Sequence, residues 1–280
     1  MTIVVTGATG HLGRLVIESL LAKGVPASEI VGLGRQVDKI ADLGIDVRHV
    51  TYDDVDALTE AFTGADRVLF ISGSEVGRRI PQHTNVVTAA KKAGVGLVVY
   101  TSAPRADTTD MKLATEHLAT ERMLADSGLP HVVLRNGWYL ENYNVPQAIE
   151  HGLFGAAGDG RIAAATRADF AEAAASALVG DGHAGRVYEL GGESFTLAEL
   201  AAEISRQSGR PVVYTDLPED KYADLLVGVG LPRAGAEILA DSDRAASRGA
   251  LDVPRTDLEG LLGRPVTPLS TAIRAALSRD

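Results

Sequence analysis

The 280-residue chain contains no cysteine. That excludes disulfides, thiolate nucleophiles and cysteine-ligated metals, and it fits a reducing, cytoplasmic setting. Basic residues are outnumbered, 27 Lys and Arg against 37 Asp and Glu, for a net charge of −10. No nucleic-acid partner is expected, because neutralising phosphates takes clustered cations. No apolar run approaches the roughly 18 residues of a membrane span, and the opening residues lack the basic stretch of a secretion signal. The seven histidines are scattered at 11, 49, 83, 117, 131, 151 and 183, so no metal site is expected. No Ser-His-Asp arrangement or paired-carboxylate signature stands out. Aromatic side chains are sparse, with seven Tyr, five Phe and one Trp.

What the chain does have is enough apolar material, 45% of residues, to bury a sizeable core. Short Val- and Ile-rich runs at Ile3–Thr6, Ile30–Leu33, Val47–Val50, Val68–Ser72, Leu97–Thr101 and Val132–Leu134 read as strands buried on both faces. Helical patterns lie between them at Leu12–Lys23, Asp54–Phe62, Pro81–Ala93 and Met111–Ser127. This alternation predicts an α/β fold, a Rossmann-type doubly wound parallel sheet with right-handed crossovers. After about residue 135 the rhythm changes to glycine clusters, a helix near Ala168–Val179 and a strand at Val187–Leu190. A helix follows at "FTLAELAAEISRQSG", with Thr196 and Glu199 in capping-box register and Gly209 as its stop. A short strand is expected at Val212–Tyr214, then mostly helix. The expected division is a nucleotide-binding domain over 1–135 and a smaller, mostly helical substrate lobe over 136–280. The 168–179 helix is free to pack back on the first domain.

The segment Thr6-Gly7-Ala8-Thr9-Gly10-His11-Leu12-Gly13 joins the first strand to the first helix. Gly7 permits the tight turn, Gly10 lets backbone approach a pyrophosphate, and Gly13 allows close helix packing. The free N–H groups of the helix start face the phosphates. Elsewhere in a chain the GxxGxxG spacing marks no more than a turn; between a first strand and a first helix it reads as a dinucleotide site. An acidic residue at the end of the second strand would bind the ribose 2′-OH of NAD. Here "IVGLGRQ" offers Arg35 instead, whose guanidinium matches the 2′-phosphate of NADPH. A solvated surface charge is the plainer role for Arg35, and Asp38 and Lys39 lie close by. Asp53 stands either beside the adenine or as a cap of the next helix.

The helix after the fifth strand, "DMKLATEHLATERML", lacks the Tyr-x-x-x-Lys that protonates a nascent alkoxide in many short-chain dehydrogenases. His117 is the nearest stand-in; with Glu121 it could equally form an exposed ion pair. Reducing an ordinary ketone needs a positioned acid. A quinone gives a stabilised phenolate that water can protonate, so orientation against a hydride donor suffices. The stretch "LRNGWYLENY" supplies Trp138, Tyr139 and Tyr143 for a planar acceptor, with Asn136, Gly137 and Asn142 as amide contacts. The same aromatics would also serve as a seam between lobes. Ser72, Gly73 and Ser74, after the fourth strand, lie where ligands bind open sheets. Arg167, at a helix start, is a further phosphate or lobe contact, or simply surface.

Together "VTGATGHLGRLVIESLLAKGVPASEIV", "ISGSEVGRRIPQH", "LRNGWYLENY", "AAGDGRIAAATRAD" and "VYELGGESFTLAELA" resemble the NmrA-like atypical short-chain dehydrogenases/reductases, nearest their bacterial NAD(P)H:quinone oxidoreductase branch. The resemblance runs past Gly209 and, more loosely, through "VGLPRAGAEILADSD". It implies NADPH as donor, a quinone as acceptor and a cleft between two lobes. It also implies that Arg35 meets the 2′-phosphate and that the segments 72–74 and 136–142 line the cleft. Triphenylmethane or azo dyes and enones are the alternative acceptors. A non-catalytic NADP(H) sensor is the alternative class, though it would need no aromatic slot. A homodimer is expected only by analogy of fold.

Overall fold

The computed structural model describes residues 1–278. The first half runs β1 (Ile3–Val5), α1 (His11–Ala22), β2 (Ile30–Gly34), β3 (Asp46–His49), α2 (Val55–Phe62), β4 (Arg67–Phe70), α3 (Arg79–Ala93), β5 (Leu97–Ser102), α4 (Lys112–Ser127) and β6 (His131–Asn136). The second half runs β7 (Trp138–Tyr139), α5 (Val145–His151), β8 (Leu153–Gly155), β9 (Ile162–Ala165), α6 (Arg167–Val179), β10 (Val187–Leu190), β11 (Glu193–Phe195), α7 (Leu197–Ser208), β12 (Tyr214–Asp216), α8 (Glu219–Gly228), α9 (Arg233–Ala246), α10 (Thr256–Leu262) and α11 (Leu269–Leu277).

Seven strands form one parallel sheet in the order β10-β6-β5-β4-β1-β2-β3. The strand order reverses between β1 and β4, which opens a crevice at the carboxyl ends of the strands. Successive residues of the central strands feed different cores because side chains alternate across the sheet. Ile3 and Val5 pack with α1 and α6, whereas Val4 packs with the α2, α3 and α4 layer. The outer strand β3 departs from the expectation of two-sided burial. It forms the sheet edge and is largely exposed.

α6 packs against α1. Its sequence explains how: Ala171, Ala173, Ala174, Ala175 and Ala177 are all buried, and small side chains let two helices approach closely. Consequently α6, together with α10 and β10, belongs to the sheet's own core although all three lie beyond residue 135. A second core gathers Trp138, Leu140, Ile162, Phe195, Leu197 and Ile204 from the small sheets β11-β9-β7 and β12-β8 and their helices. α7 carries the expected capping box, with Glu199 N–H donating to Thr196 Oγ1 at 3.1 Å and Thr196 N–H donating to Glu199 Oε2 at 2.8 Å. The last short strand forms at 214–216 rather than 212–214, pairing with β8.

Arg105, in the loop after β5, holds the two regions together. Its φ of 50° is the one positive value at a non-glycine among the described residues, a conformation that side chains other than glycine seldom adopt. Its N–H donates to the Glu189 carboxylate, and its guanidinium donates to Gly249 O at 2.8 Å and Asp252 O at 2.7 Å.

Gly13 is the tightest point of the α1 packing: a Cβ there would fall within 2.7 Å of Ala8 Cα and would also strike the Gly7 carbonyl. Gly13→Ala is expected to cost about 1–3 kcal/mol, as overpacking does. Urea unfolding at fixed pH measures this, and an unchanged midpoint would show that α1 yields freely.

Candidate active site

β1 ends beneath the crevice, and the chain turns at Gly7 with φ +60°. Gly10 lies exposed at the start of α1. It caps the helix without a side-chain bond. The N–H groups of His11, Leu12 and Gly13 therefore find no acceptor among the described residues, and they form the anion-binding end of a helix. Thr9 tucks against β2, since a Cβ on Gly34 would lie 2.6 Å from Thr9 Oγ1. Thr6 plays a different part from the one expected of it. Its side chain is fully buried, sharing a 2.5 Å hydrogen bond with Tyr52 Oη and accepting from Ile71 N–H at 3.1 Å. Tyr52 in turn donates to Ile71 O. Thr6 and Tyr52 thus brace the turn from below, a role for Tyr52 that no motif marks.

Arg35 follows β2 and points over this turn, close enough for its charge to act on the buried Tyr52 hydroxyl. Its Nη1 pairs with Glu75 Oε1 at 2.8 Å. Asp53 pairs with Arg78, and the cap of α2 is its neighbour Asp54, which accepts from Ala57 N–H.

The 72–74 loop is clamped from beneath. Ser72 N–H donates to Thr101 Oγ1, Gly73 N–H donates to His83 Nε2 at 2.9 Å, and Arg79 Nε donates to Gly73 O at 2.6 Å. Ser74 is exposed at the rim. Because His83 Nε2 accepts, its Nδ1 carries the proton, facing Thr120 Oγ1 at 2.7 Å. Thr120 Oγ1 donates onward to Glu116 O. Burial, with the Arg79 charge nearby, lowers the His83 pKa to about 3.

His117 lies in the same buried layer, its Nδ1 2.9 Å from Tyr100 Oη. It is neither a surface group nor paired with Glu121, which instead binds Arg135 and Ser102. Burial first, then the Arg79 charge and the repulsion His83 would exert once protonated, bring its pKa down to about 3. The i, i+4 spacing was right about a shared helix face and silent about that face being buried.

At the end of β6, Asn136 is buried; its Nδ2 donates to Tyr139 Oη at 3.2 Å while its Oδ1 has no partner. Arg167, opening α6, stacks its guanidinium 5.2 Å from the Tyr139 ring centroid. It also donates to Asn142 Oδ1 at 3.2 Å. Asn136, Tyr139, Asn142 and Arg167 therefore form one string along the crevice wall.

The three aromatics do not share a wall. Trp138 and Tyr139 are adjacent on β7, so they point to opposite faces. Tyr139 packs edge-on against Phe170, and Trp138 is buried in the second core. Tyr143 leans edge-on against Phe195, and its hydroxyl, buried without a partner, sits near Asp243. Gly137 likewise faces protein: a Cβ there would lie 2.8 Å from Leu190 O and 2.9 Å from Ala163 O, so glycine is required by crossing strands. No cluster of metal-ligating side chains occurs among the described residues.

A turn that frees helix N–H groups, flanked by a guanidinium and a clamped loop at a sheet's switch point, defines a dinucleotide-binding protein. The chain belongs to the NmrA-like family, which residues 1–248 match. It is 53% identical over 278 residues to quinone oxidoreductase 2 of Escherichia coli strain K12, spanning 97% of each chain. Its structure aligns with the crystal structure of an Escherichia coli NADPH-dependent quinone oxidoreductase complexed with NADPH, with a TM-score of 0.95 and 51% identity over 99% of this chain and 100% of that one. The NADP(H)-complexed triphenylmethane reductase of Citrobacter sp. aligns with a TM-score of 0.92 and 38% identity, over 98% of this chain and 100% of that one.

The neutral histidines give the fold an acid sensitivity of definite sign. Their pKa values lie below the unfolded value of about 6.5, so their contribution is complete above that pH and is lost as pH falls toward 3. Thermal melts of His117→Gln are expected to show a shallower loss of stability between about pH 6 and 4 than the parent chain. Parallel curves would mean that His117 is already protonated when folded.

Proposed function

We propose that this protein is an NADPH-dependent quinone oxidoreductase, catalysing NADPH + H⁺ + quinone → NADP⁺ + hydroquinone. The observation that carries the reading is the unpartnered, buried Oδ1 of Asn136 at the crevice wall, in a chain that also presents the free N–H groups of α1 and the Arg35 guanidinium. Those three features fit the three polar ends of NADPH: a carboxamide, a pyrophosphate and a 2′-phosphate. When bound, NADPH supplies a hydride, and everything else the reaction needs comes from placement.

The turn at Gly7, Thr9 and Gly10 and the N–H groups of His11, Leu12 and Gly13 hold the pyrophosphate. Arg35 holds the 2′-phosphate. Ser72, Gly73 and Ser74 line the ribose side, fixed by His83 and Arg79 from below. Asn136 Oδ1 accepts from a carboxamide and sets the face of the ring. Tyr139, Asn142 and Arg167 form the wall against which a flat acceptor lies, with Tyr143 beyond them. His117, buried and neutral, is not placed to deliver a proton there. A quinone suits such a site, because its reduced oxygen takes a proton from water without a fixed acid.

Functionally the chain divides into a nucleotide-binding unit and a C-terminal acceptor lobe, a division supported by their separate apolar cores. The homodimer and the cytoplasmic location complete the proposal, the first on analogy of fold and the second on the cysteine-free composition. No helix among the described residues is long and apolar enough to cross a membrane.

Purified protein is expected to oxidise NADPH on adding a soluble quinone, faster than with triphenylmethane or azo dyes or an enone. Tight NADPH binding without turnover on any of them would make the protein a sensor instead. Arg35→Ala is expected to weaken NADPH by about tenfold or more, the worth of a charged hydrogen-bonded contact, and NADH little. Equal losses for the two coenzymes would remove Arg35 from the 2′-phosphate.

A further inference from the structure

Glu75 sits where a small anion would. Its Oε1 accepts from Arg35 Nη1 at 2.8 Å and its Oε2 from Arg78 Nη1 at 3.3 Å. Gln82 Nε2, from a buried side chain, reaches Oε2 at 3.4 Å. Arg78 is steadied on its other side by Asp53 Oδ1 at 2.8 Å. Three donors therefore reach the Glu75 carboxylate, two of which, Arg78 and Gln82, are shared with Asp53, Gln82 Nε2 lying 3.4 Å from Asp53 Oδ2 as well. They come from both sides of the crevice: Arg35 follows β2, whereas Glu75, Arg78 and Gln82 belong to the loop and helix after β4. Since β1 lies between β2 and β4 in the sheet, the Arg35–Glu75 pair passes across the end of β1, over the glycine turn.

We propose that the Glu75 carboxylate is an internal stand-in for the coenzyme's 2′-phosphate, and that Arg78 is the second guanidinium of that subsite. The inference rests on the NADPH reading above and deepens it. Two guanidinium groups and an amide around one anion form a site that a phosphate fills better than a carboxylate, with more acceptor oxygens and a higher charge. The side chains of Arg35 and Arg78 are 62% and 61% exposed and that of Glu75 is 36% exposed. Pairs of that exposure are individually weak, so the exchange of anions is cheap. NADH carries no group able to take over the two guanidinium groups, so Glu75 opposes NADPH alone. Glu75 and Arg78 are in this way specificity-determining residues with opposite effects. Removing the first strengthens the preference for NADPH, and removing the second weakens it.

The test is a set of equilibrium titrations of the ligand-free protein with NADPH and with NADH, for the parent chain, Glu75→Gln, Arg78→Gln and Arg35→Ala. Glu75→Gln is expected to tighten NADPH about three- to tenfold, the worth of two exposed ion pairs, and to move NADH less than twofold. Arg78→Gln is expected to weaken NADPH by a similar factor and again to spare NADH. The ratio of the two coenzymes is read within each variant, so a general loss of folded protein does not produce the pattern. Unchanged or weaker NADPH binding in Glu75→Gln overturns the inference, as does an equal change for both coenzymes in either variant. If Arg35→Ala keeps its selective effect while Glu75→Gln is silent, the NADPH reading stands and the stand-in falls. If the parent chain shows no preference and Arg35→Ala weakens both alike, the coenzyme reading itself fails and takes this inference with it.

Discussion

The close approach of α1 to the turn that precedes it governs the geometry of this molecule. Backbone lies against backbone where Gly13 meets Gly7 and Ala8, with no space for a Cβ. That contact fixes where the helix begins and therefore where its unpaired N–H groups point. It is secured from two directions. The alanine face of α6 presses on α1 from the side, and Thr6 with Tyr52 supports the turn from below. A phosphate cradle is thus less a property of three glycines than of the layers that hold them still.

Charge is distributed around the crevice on a similar plan, with the buried histidines kept neutral and the exposed charges of the rim paired. His83 and His117 are held uncharged beneath the 72–74 loop, near the one buried guanidinium of that layer, Arg79, which leans toward Glu116. Arg79 and His83 grip the two backbone polar groups of a single residue, Gly73, and so place the loop from beneath. The rim charges Arg35, Glu75, Arg78 and Asp53 are instead exposed enough to re-pair. Rigid support with an adaptable rim is what a site needs when it must orient a ring and still release it.

The parallel sheet was legible because its central strands are apolar on both faces and its helices are plainly punctuated. The capping box at Thr196 and Glu199 was readable residue by residue. The glycine turn was readable too, since its spacing reflects backbone demands. Contacts between distant segments were not readable. Nothing near Tyr52 announces that it underlies Thr6, and the pairing of Arg35 with Glu75 joins residues forty positions apart. The aromatic cluster misled through a counting effect: nearness along the chain became opposite directions once Trp138 and Tyr139 lay on a strand. Gly137, likewise, answers to a crossing of strands that only the fold creates.

Arg105 has a consequence for traffic through the crevice. The Arg105 guanidinium ties the loop after β5 to two backbone carbonyls of the C-terminal region, while its own N–H ties that loop to the Glu189 carboxylate on β10. Swinging the C-terminal region away like a jaw would break both carbonyl bonds together. Exchange of small molecules is therefore left to local flexing at the exposed 74–78 rim, and the molecule behaves as a fixed frame with one yielding edge.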